Sequence, residues 1–487
     1  MYKYGIVVIG YKNAKSVKRL LDALSMAEYE GEAVKLIISI DKSDHDDVKK
    51  IADVFEWKFG DKHVINYPER LGLRDHVLCC GDYLNTYDLD ALVVFEDDMM
   101  PARSFFQFTM AATEKYIENE NIAGVSLYTN CINFNVMERF IPIKNDGDNF
   151  FIQTSQSRGQ IWFKRQWNEF RGWYDLQTSF EESDFLPRRV ASWPETSWKK
   201  YHIKYCVVKN KYFAFPYTSF STCFGEAGEH VKKQCNDLQV PLSNTRINSF
   251  DLIDFDDKAL KYDAFFENLN LYLYCDVEKN DLLVDLYGDH MVTDKKYVLT
   301  KKKLPYRVIK SWGNKLVPQE LNIMYDISGD EILLYETAED GKMVKLPERI
   351  VEKDKMEKYF DILDRWMSIE DRGLSIGDFF VQNHWDHIAI YGYGKIGKHL
   401  YARLNNTSVK VDYFIDQNEN VEEKDIIVRK LNDDLPSVDV IVVTPVLEFE
   451  NISEYLHKKE CLFRVVSIED ILNTGTICKC ADPLNIG

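Results

Sequence analysis

Ala91-Leu-Val-Val-Phe95-Glu96-Asp97-Asp98-Met-Met-Pro101 is the stretch from which the fold is read. Its five apolar residues do not alternate with polar ones, which suits a strand buried on both faces of a parallel sheet. Three carboxylates then stand at the strand's C-terminal end, where open α/β sheets bind ligands. Adjacent carboxylates repel each other unless a cation lies between them. A divalent ion with hard oxygen ligands answers that need and can carry a diphosphate. The same residues also suit a solvated strand end, with Asp98 capping the next helix and Pro101 in its first turn.

Upstream, Tyr4-Gly-Ile-Val-Val-Ile9-Gly10 reads as a short strand, and Ser16–Leu24 has helical periodicity. The turn Gly10-Tyr11-Lys12-Asn13 between them is a first crossover of a doubly wound sheet. Lys35-Leu-Ile-Ile-Ser-Ile40 is a second strand ending in Asp41, followed by a helix over Asp46–Phe59 and a third strand over His63–Asn66. Asp41 is placed to accept from a ribose hydroxyl or a base N–H, and it equally suits an Asx-turn or a helix cap. In Pro68-Glu-Arg70-Leu-Gly72-Leu-Arg74-Asp-His76, Gly72 permits a tight turn, and Arg70 and Arg74 lie before or on a first helical turn, which favours anions. Two guanidinium groups beside a carboxylate-bound cation make a pyrophosphate cradle; their alternative partners are Glu69, Asp75 or the acidic triplet.

This ordered series, continued by the helix Ser104-Phe-Phe-Gln-Phe108, resembles the GT-A fold nucleotide-sugar glycosyltransferases over about residues 1–245. The likeness is to bacterial family 2-like enzymes and to the Golgi β-1,2-N-acetylglucosaminyltransferase type. The resemblance implies a metal-dependent, inverting transfer from a nucleoside-diphosphate sugar, UDP-linked. Asp98, helped by Glu96 or Asp97, would hold Mn2+ or Mg2+, Asp41 would contact the nucleoside, and Arg70 and Arg74 the phosphates. Ser192-Trp193-Pro194-Glu195-Thr-Ser197-Trp198 corresponds in order to the segment that carries the catalytic base in the Golgi type, with Glu195 as its only acid and Asp184 and Glu182 as reserves. Glu195 also suits the N-terminal turn of a helix over Ser197–Tyr205. The loop Ser219–His230 resembles the lid of such enzymes, with His230 completing the metal shell or contacting the diphosphate. Arg158 is a departure, standing where related enzymes often carry an aromatic residue. The tryptophans of Trp162 to Trp173 have helical spacing and suit a core better than a sugar platform. The implied acceptor is a surface glycan, lipid-linked or free, which would bring the chain to the inner membrane face as a peripheral partner.

The totals agree with such a protein. A chain of 487 residues exceeds what one core serves, so two or three domains are expected. The net charge of −18 argues against nucleic acid as partner. No apolar run approaches the roughly 20 residues of a membrane span, and the N-terminus leads into a strand, not a signal peptide, so a cytoplasmic location is expected. The ten cysteines are scattered in apolar surroundings and read as reduced core residues.

Residues 246–346 read as a small β-rich unit, with strands expected over Asn268–Cys275, Leu282–Tyr287, Tyr297–Thr300 and Glu331–Glu336. Residues 347–380 read as a charged helical connector. Residues 381–487 open with His387-Ile-Ala-Ile-Tyr391-Gly392-Tyr-Gly394-Lys-Ile-Gly397, and a second strand ends in Asp416. That is the dinucleotide fingerprint on a half-size Rossmann-like domain, with Gly392, Gly394 and Gly397 at the phosphates and Asp416 on a ribose. The glycines also serve simple helix-on-strand packing, so NAD, another nucleotide or no ligand remain open for this module. The expected fold is therefore α/β: a GT-A domain, a β-rich middle unit and a C-terminal Rossmann-like domain. Two rival functions stand beside the transferase: an NAD-dependent sugar oxidoreductase centred on the C-terminal module, and a non-catalytic assembly protein that binds nucleotide sugar.

Overall fold

Every residue of β1 (Tyr4–Gly10) is buried, and its side chains divide between two cores. Ile6 and Val8 pack with Leu36, Ile38 and Val93 on one face, and Val7 and Ile9 with Ile37, Leu92 and Val94 on the other. A strand that buries both faces needs helices on each side. The computed structural model supplies them; it describes residues 1–177, 179–180, 185–226, 236–243, 245, 249–337, 343–349, 352–416, 426–430, 433–458 and 464–474. The chain divides into two compact units, Met1–Arg349 and Ile350–Gly487.

In the first unit, β1 is followed by α1 (Ala14–Ser25), β2 (Val34–Ile40), α2 (Asp47–Val54), β3 (Lys62–Asn66), α3 (Leu73–Thr86), β4 (Ala91–Glu96), the short β5 (Met99–Pro101) and α4 (Phe105–Tyr116). Then come β6 (Ile122–Ser126), β7 (Asn149–Ile152), β8 (Gln160–Phe163), α5 (Lys164–Tyr174), α6 (Trp198–Val208), β9 (Tyr212–Pro216), β10 (Ser221–Cys223) and β11 (Lys261–Tyr262). Among the described residues nine strands form the main sheet in the order β11-β7-β9-β6-β8-β4-β1-β2-β3. β1 pairs in parallel with both β2 and β4, while β8 enters antiparallel between β4 and β6. The chain thus winds outward from β1 to β3 and returns to β1's other side with β4. That reversal opens a crevice at the carboxyl ends of β1 and β4.

Helices α1, α2 and α4 cover one face, and α3, α5 and α6 the other. Trp162 stacks on Trp167 with ring centroids 4.2 Å apart, and both are buried, so these aromatics are core. The helix expected over Asp46–Phe59 is shorter, because Phe55 turns extended and Trp57 Nε1 donates to Val34 O at 2.7 Å, drawing the chain back onto the sheet.

Residues expected to form a β-rich middle unit lie within the first compact unit. They contain a four-stranded sheet in the order β12-β13-β15-β14, made of β12 (Leu282–Asp285), β13 (Tyr297–Thr300), β14 (Arg307–Trp312) and β15 (Ile332–Glu336). The strand expected over Asn268–Cys275 is instead a turn and a short helix over Tyr272–Cys275. Leu271 and Cys275, four apart, share one buried cluster while Leu273 faces out at 59% exposure, so the helical spacing prevailed over the alternation.

The second unit begins with α7 (Glu352–Asp371). Its residues Ile362, Trp366 and Ile369 are buried in the same core as Ile388 and Leu400, so this helix belongs to the domain it was expected merely to connect. α8 (Ile376–Gln382), β16 (His387–Tyr391), α9 (Lys395–Leu404), β17 (Lys410–Ile415), β18 (Val428–Arg429), β19 (Val440–Val443), α10 (Phe449–Lys458) and β20 (Arg464–Ser467) follow. The sheet is parallel in the order β18-β17-β16-β19-β20, a half-size doubly wound arrangement. Among the described residues no helix is long and apolar enough to cross a membrane.

Candidate functional site

The register Ile9↔Glu96 sets the turn after β1 beside the acidic triplet after β4. From that edge the remaining loops can be placed. Asp41, directly after β2, is 4% exposed. Its Oδ1 accepts from the N–H groups of Lys42 and Leu71, both at 2.8 Å, and its Oδ2 from Gly72 N–H at 3.0 Å. Asp41 therefore ties the loop before α3 to the sheet edge. Gly72, at φ +77°, makes the turn that an L side chain would strain. The pinned loop carries Arg70, and Arg74 follows in the first turn of α3. Arg70 lies over the Tyr11 ring, 4.9 Å from its centroid, which places it at the turn after β1. Arg74 binds Asp75 through Nε at 2.9 Å and donates from Nη1 to the Glu195 carbonyl at 3.0 Å. The structure thus brings Asp41, Arg70, Arg74 and Glu195 into one linked rim.

The three side chains of the triplet are half-buried. Burial, with repulsion from Asp98 and Asp97, pushes Glu96 up to about 8, against the pull of Arg158 and Lys199. Burial, with Asp98 and Glu226, pushes Asp97 up to about 7, opposed by Arg19. Burial raises Asp98 as well, with Arg158 opposing it. Three carboxyl groups pushed above their ordinary range make a site that would release protons when a cation binds there.

The cations facing the triplet come from three separate elements. Arg158 is presented by a turn at Gly159, φ +88°, where a Cβ would fall 2.6 Å from Ser221 Oγ, and its guanidinium lies 5.4 Å from the Tyr128 ring. Lys199, in the first turn of α6, stands 4.7 Å from the Phe134 ring and 5.9 Å from Trp193, which stack on each other. Burial, helped by Arg158, lowers its ammonium to about 7 against the pull of Glu96. Arg19 of α1 grips Glu226 through both guanidinium nitrogens, at 2.7 and 2.9 Å, with Phe224 stacked 3.3 Å beneath it. The segment after β10 crosses the triplet here, with Phe224 N–H donating to Asp98 O at 3.0 Å. Lys199, Arg19 and Glu226 escaped the sequence reading. Lys199 stands in Trp198-Lys-Lys-Tyr, where it reads as an ordinary helix surface, and Arg19 sits in an amphipathic helix with no motif to mark it.

The chemistry of the donor set fits a hard divalent cation. It is not a preformed cage: among the described residues no three Asp, Glu, His or Cys side chains converge. Mg2+ in particular is usually held by one or two carboxylates with the rest of its shell from water and substrate phosphates, and Asp98 with Asp97 or Glu96 matches that mode. His230, expected to complete the shell, lies outside the described residues, as do Glu182 and Asp184.

In the second unit, Gly392 has φ +97° and a Cβ there would fall 2.7 Å from Thr444 Oγ1; one on Gly397 would fall 2.1 Å from Gly392 O. Gly394 meets nothing within 4 Å. Asp416 Oδ2 accepts the Tyr393 N–H at 2.7 Å, so the acid supports the glycine turn itself.

No family model and no curated protein matches the chain. Among solved structures, it is similar to S. aureus TarS 1–349 in complex with UDP-GlcNAc, at 12% identity and a TM-score of 0.33 over 47% of this chain and 60% of that one. Mannosyltransferase PcManGT from Pyrobaculum calidifontis in complex with GDP-Man and Mn2+ aligns at 11% identity and 0.29 over 47% and 59%. A cytidylyltransferase from Leptospira borgpetersenii aligns at 12% and 0.26 over 44% and 75%. The chain thus spans about three fifths of the length of the first two.

Proposed function

We propose that the first unit is a metal-dependent, inverting glycosyltransferase that moves a sugar from a nucleoside-diphosphate donor, UDP-linked, to a glycan acceptor. The observation that carries this reading is the position of Glu96-Asp97-Asp98 at the reversal of strand order, at the same sheet edge as the turn whose Tyr11 ring lies under Arg70. A crevice at that point of an open α/β sheet is where such folds take nucleotides.

In this reading the nucleoside enters over the turn after β1 and the loop that Asp41 holds. Arg70 and Arg74 receive the diphosphate, and Arg158 and Lys199 supply positive charge from the other side of the triplet. A divalent cation held by Asp98 with Asp97 or Glu96 would, when bound, offset the charge of the departing diphosphate. Glu195 takes the proton from the acceptor hydroxyl as that oxygen bonds to the anomeric carbon and the carbon–phosphate-oxygen bond breaks, the electron pair leaving with the diphosphate. The acceptor would be a surface glycan, lipid-linked or free. The rival centred on the C-terminal glycine turn is less favoured, because Asp416 already accepts the Tyr393 N–H and Gly392 is packed against Thr444.

Calorimetric titration with UDP, GDP and NAD, each with and without Mn2+, tests the reading. Metal-dependent UDP binding that is lost in Asp98→Ala supports it. NAD binding indifferent to metal and to Asp98→Ala moves the function to the second unit.

A further inference from the structure

A cavity of about 720 Å³ opens in the first unit where Asn121, just before β6, and Tyr212, at the start of β9, meet Leu282 and Val284 of β12. β6 and β9 run parallel to each other, and β6 runs the same way as β4, each being antiparallel to β8. The cavity is therefore at the amino ends of these strands, and the acidic triplet is at the carboxyl end of β4. A five-residue strand spans roughly 17 Å, so one small molecule cannot occupy both places.

The lining has a definite chemistry. Tyr212 and Phe255 stand with ring centroids 5.1 Å apart, and Tyr272 adds a third aromatic side chain. Lys261, Lys279 and Lys295 also reach the cavity. Lys261 is 7% exposed, its Nζ 4.5 Å from the Phe255 ring and donating to Asp256 O. Among the described residues neither Lys261 nor Lys279 is in ion-pair contact with a carboxylate. Burial, together with the charge of Lys279, lowers the Lys261 ammonium, so the two cations oppose each other across the same wall. Asp256 and Asp257 also line the cavity and draw the Lys261 ammonium the other way, but neither carboxylate is paired with it among the described residues. An anion seated between the lysines would relieve the repulsion, and flat rings beside fixed charges suit a ligand with a carbon-rich ring face and an acidic group.

We propose that this cavity binds an anionic saccharide, a sugar carrying a carboxylate or phosphate, at a site separate from the crevice of the acidic triplet. The site needs no nucleotide and does not depend on the transferase reading.

The test is calorimetric titration of the full chain with hexagalacturonate, glucose 6-phosphate and neutral maltohexaose. Lys279→Glu, on an exposed turn, is the principal variant; Lys261→Gln is the second, and Lys303→Glu, outside the cavity, is the control. Binding of either acidic probe, at least tenfold tighter than maltohexaose and weakened tenfold or more by Lys279→Glu but not by Lys303→Glu, supports the proposal. Which acidic probe binds tells a carboxylate sugar from a phosphate sugar. No binding of either acidic probe, equal binding of maltohexaose, or equal weakening by Lys303→Glu overturns it. UDP titration of the same variants reads the other crevice, so failure there and failure here are told apart.

Discussion

Arg74 Nη1 donates to the backbone carbonyl of Glu195 at 3.0 Å, joining the first turn of α3 to the segment before α6 across 121 positions of sequence. The contact makes the rim of the crevice one piece: Asp41 fixes Leu71 and Gly72, the helix that starts right after them carries Arg74, and Arg74 fixes the backbone of the proposed base. Glu195→Gln preserves shape and removes the proton acceptor. It is expected to lower release of UDP from a UDP-sugar by about 100-fold or more, the usual size of a general-base contribution, with UDP affinity within twofold. Turnover within threefold of the parent would move the base elsewhere.

Asp41 separates a structural role from a binding role. Its carboxylate serves three backbone N–H groups at 4% exposure. Asp41→Ala would leave buried donors without an acceptor and should cost about 3 kcal/mol in urea denaturation. Asp41→Asn, which keeps one carbonyl oxygen, should cost less. Unchanged stability with lost UDP binding would show that the nucleoside, not the loop, is its partner.

Lys199 is a half-buried cation in an aromatic setting, and charge there is costly. Lys199→Met should leave the fold as stable as before, or more so, while weakening UDP about tenfold, the effect of one lost charge-assisted contact. Loss of stability together with unchanged UDP affinity would make Lys199 a partner of Glu96 alone.

The triplet gives the free protein a distinctive pH dependence. Glu96 at about 8 and Asp97 at about 7 hold protons in the folded state that they release on unfolding at neutral pH. The folded state then binds more protons than the unfolded one between about pH 4.5 and 8. Stability must therefore fall as pH rises through that window, by up to about 1.4 kcal/mol per pH unit for each group. Glu96→Gln and Asp97→Asn should each flatten the slope in denaturant titrations without metal. Saturating Mn2+ should do the same, because a cation competes with those protons, and it should bind more tightly at pH 8 than at pH 6. A slope unchanged in both variants would place the proton uptake elsewhere.

The elements legible in the sequence were those whose signal is local. The largely apolar runs of β1, β2 and β4 end in acids or glycine, and each forms the strand expected of it. What escaped depends on contacts distant in sequence. β8 enters the sheet antiparallel, and Gln160-Ile-Trp-Phe163 carries no mark of direction. Leu269 to Cys275 satisfies both alternation and a four-residue spacing, and only the neighbouring cluster decides between them. Lys199 and Arg19 gain meaning from Glu96, Asp97 and Glu226, which are far away along the chain.

The glycines of the second unit were legible as a motif, and the structure now divides them by cause. At Gly397 a Cβ would fall 2.1 Å from the Gly392 carbonyl oxygen, a backbone atom that cannot step aside, so Gly397→Ala should destabilise the second unit by about 1–3 kcal/mol, the usual range for overpacking. At Gly394 nothing lies within 4 Å and the backbone has ordinary negative φ, so Gly394→Ala should change stability by no more than about 0.5 kcal/mol. Hydrogen exchange of β16 and β19 reads this unit separately from the first. Gly394 is the N-cap of α9, so capping and close ligand approach are the reasons for glycine there that packing leaves available. Nucleotide binding that tolerates Gly394→Ala would remove the ligand from those reasons, whereas a large loss of protection in Gly394→Ala would show that a side chain does not fit at this turn.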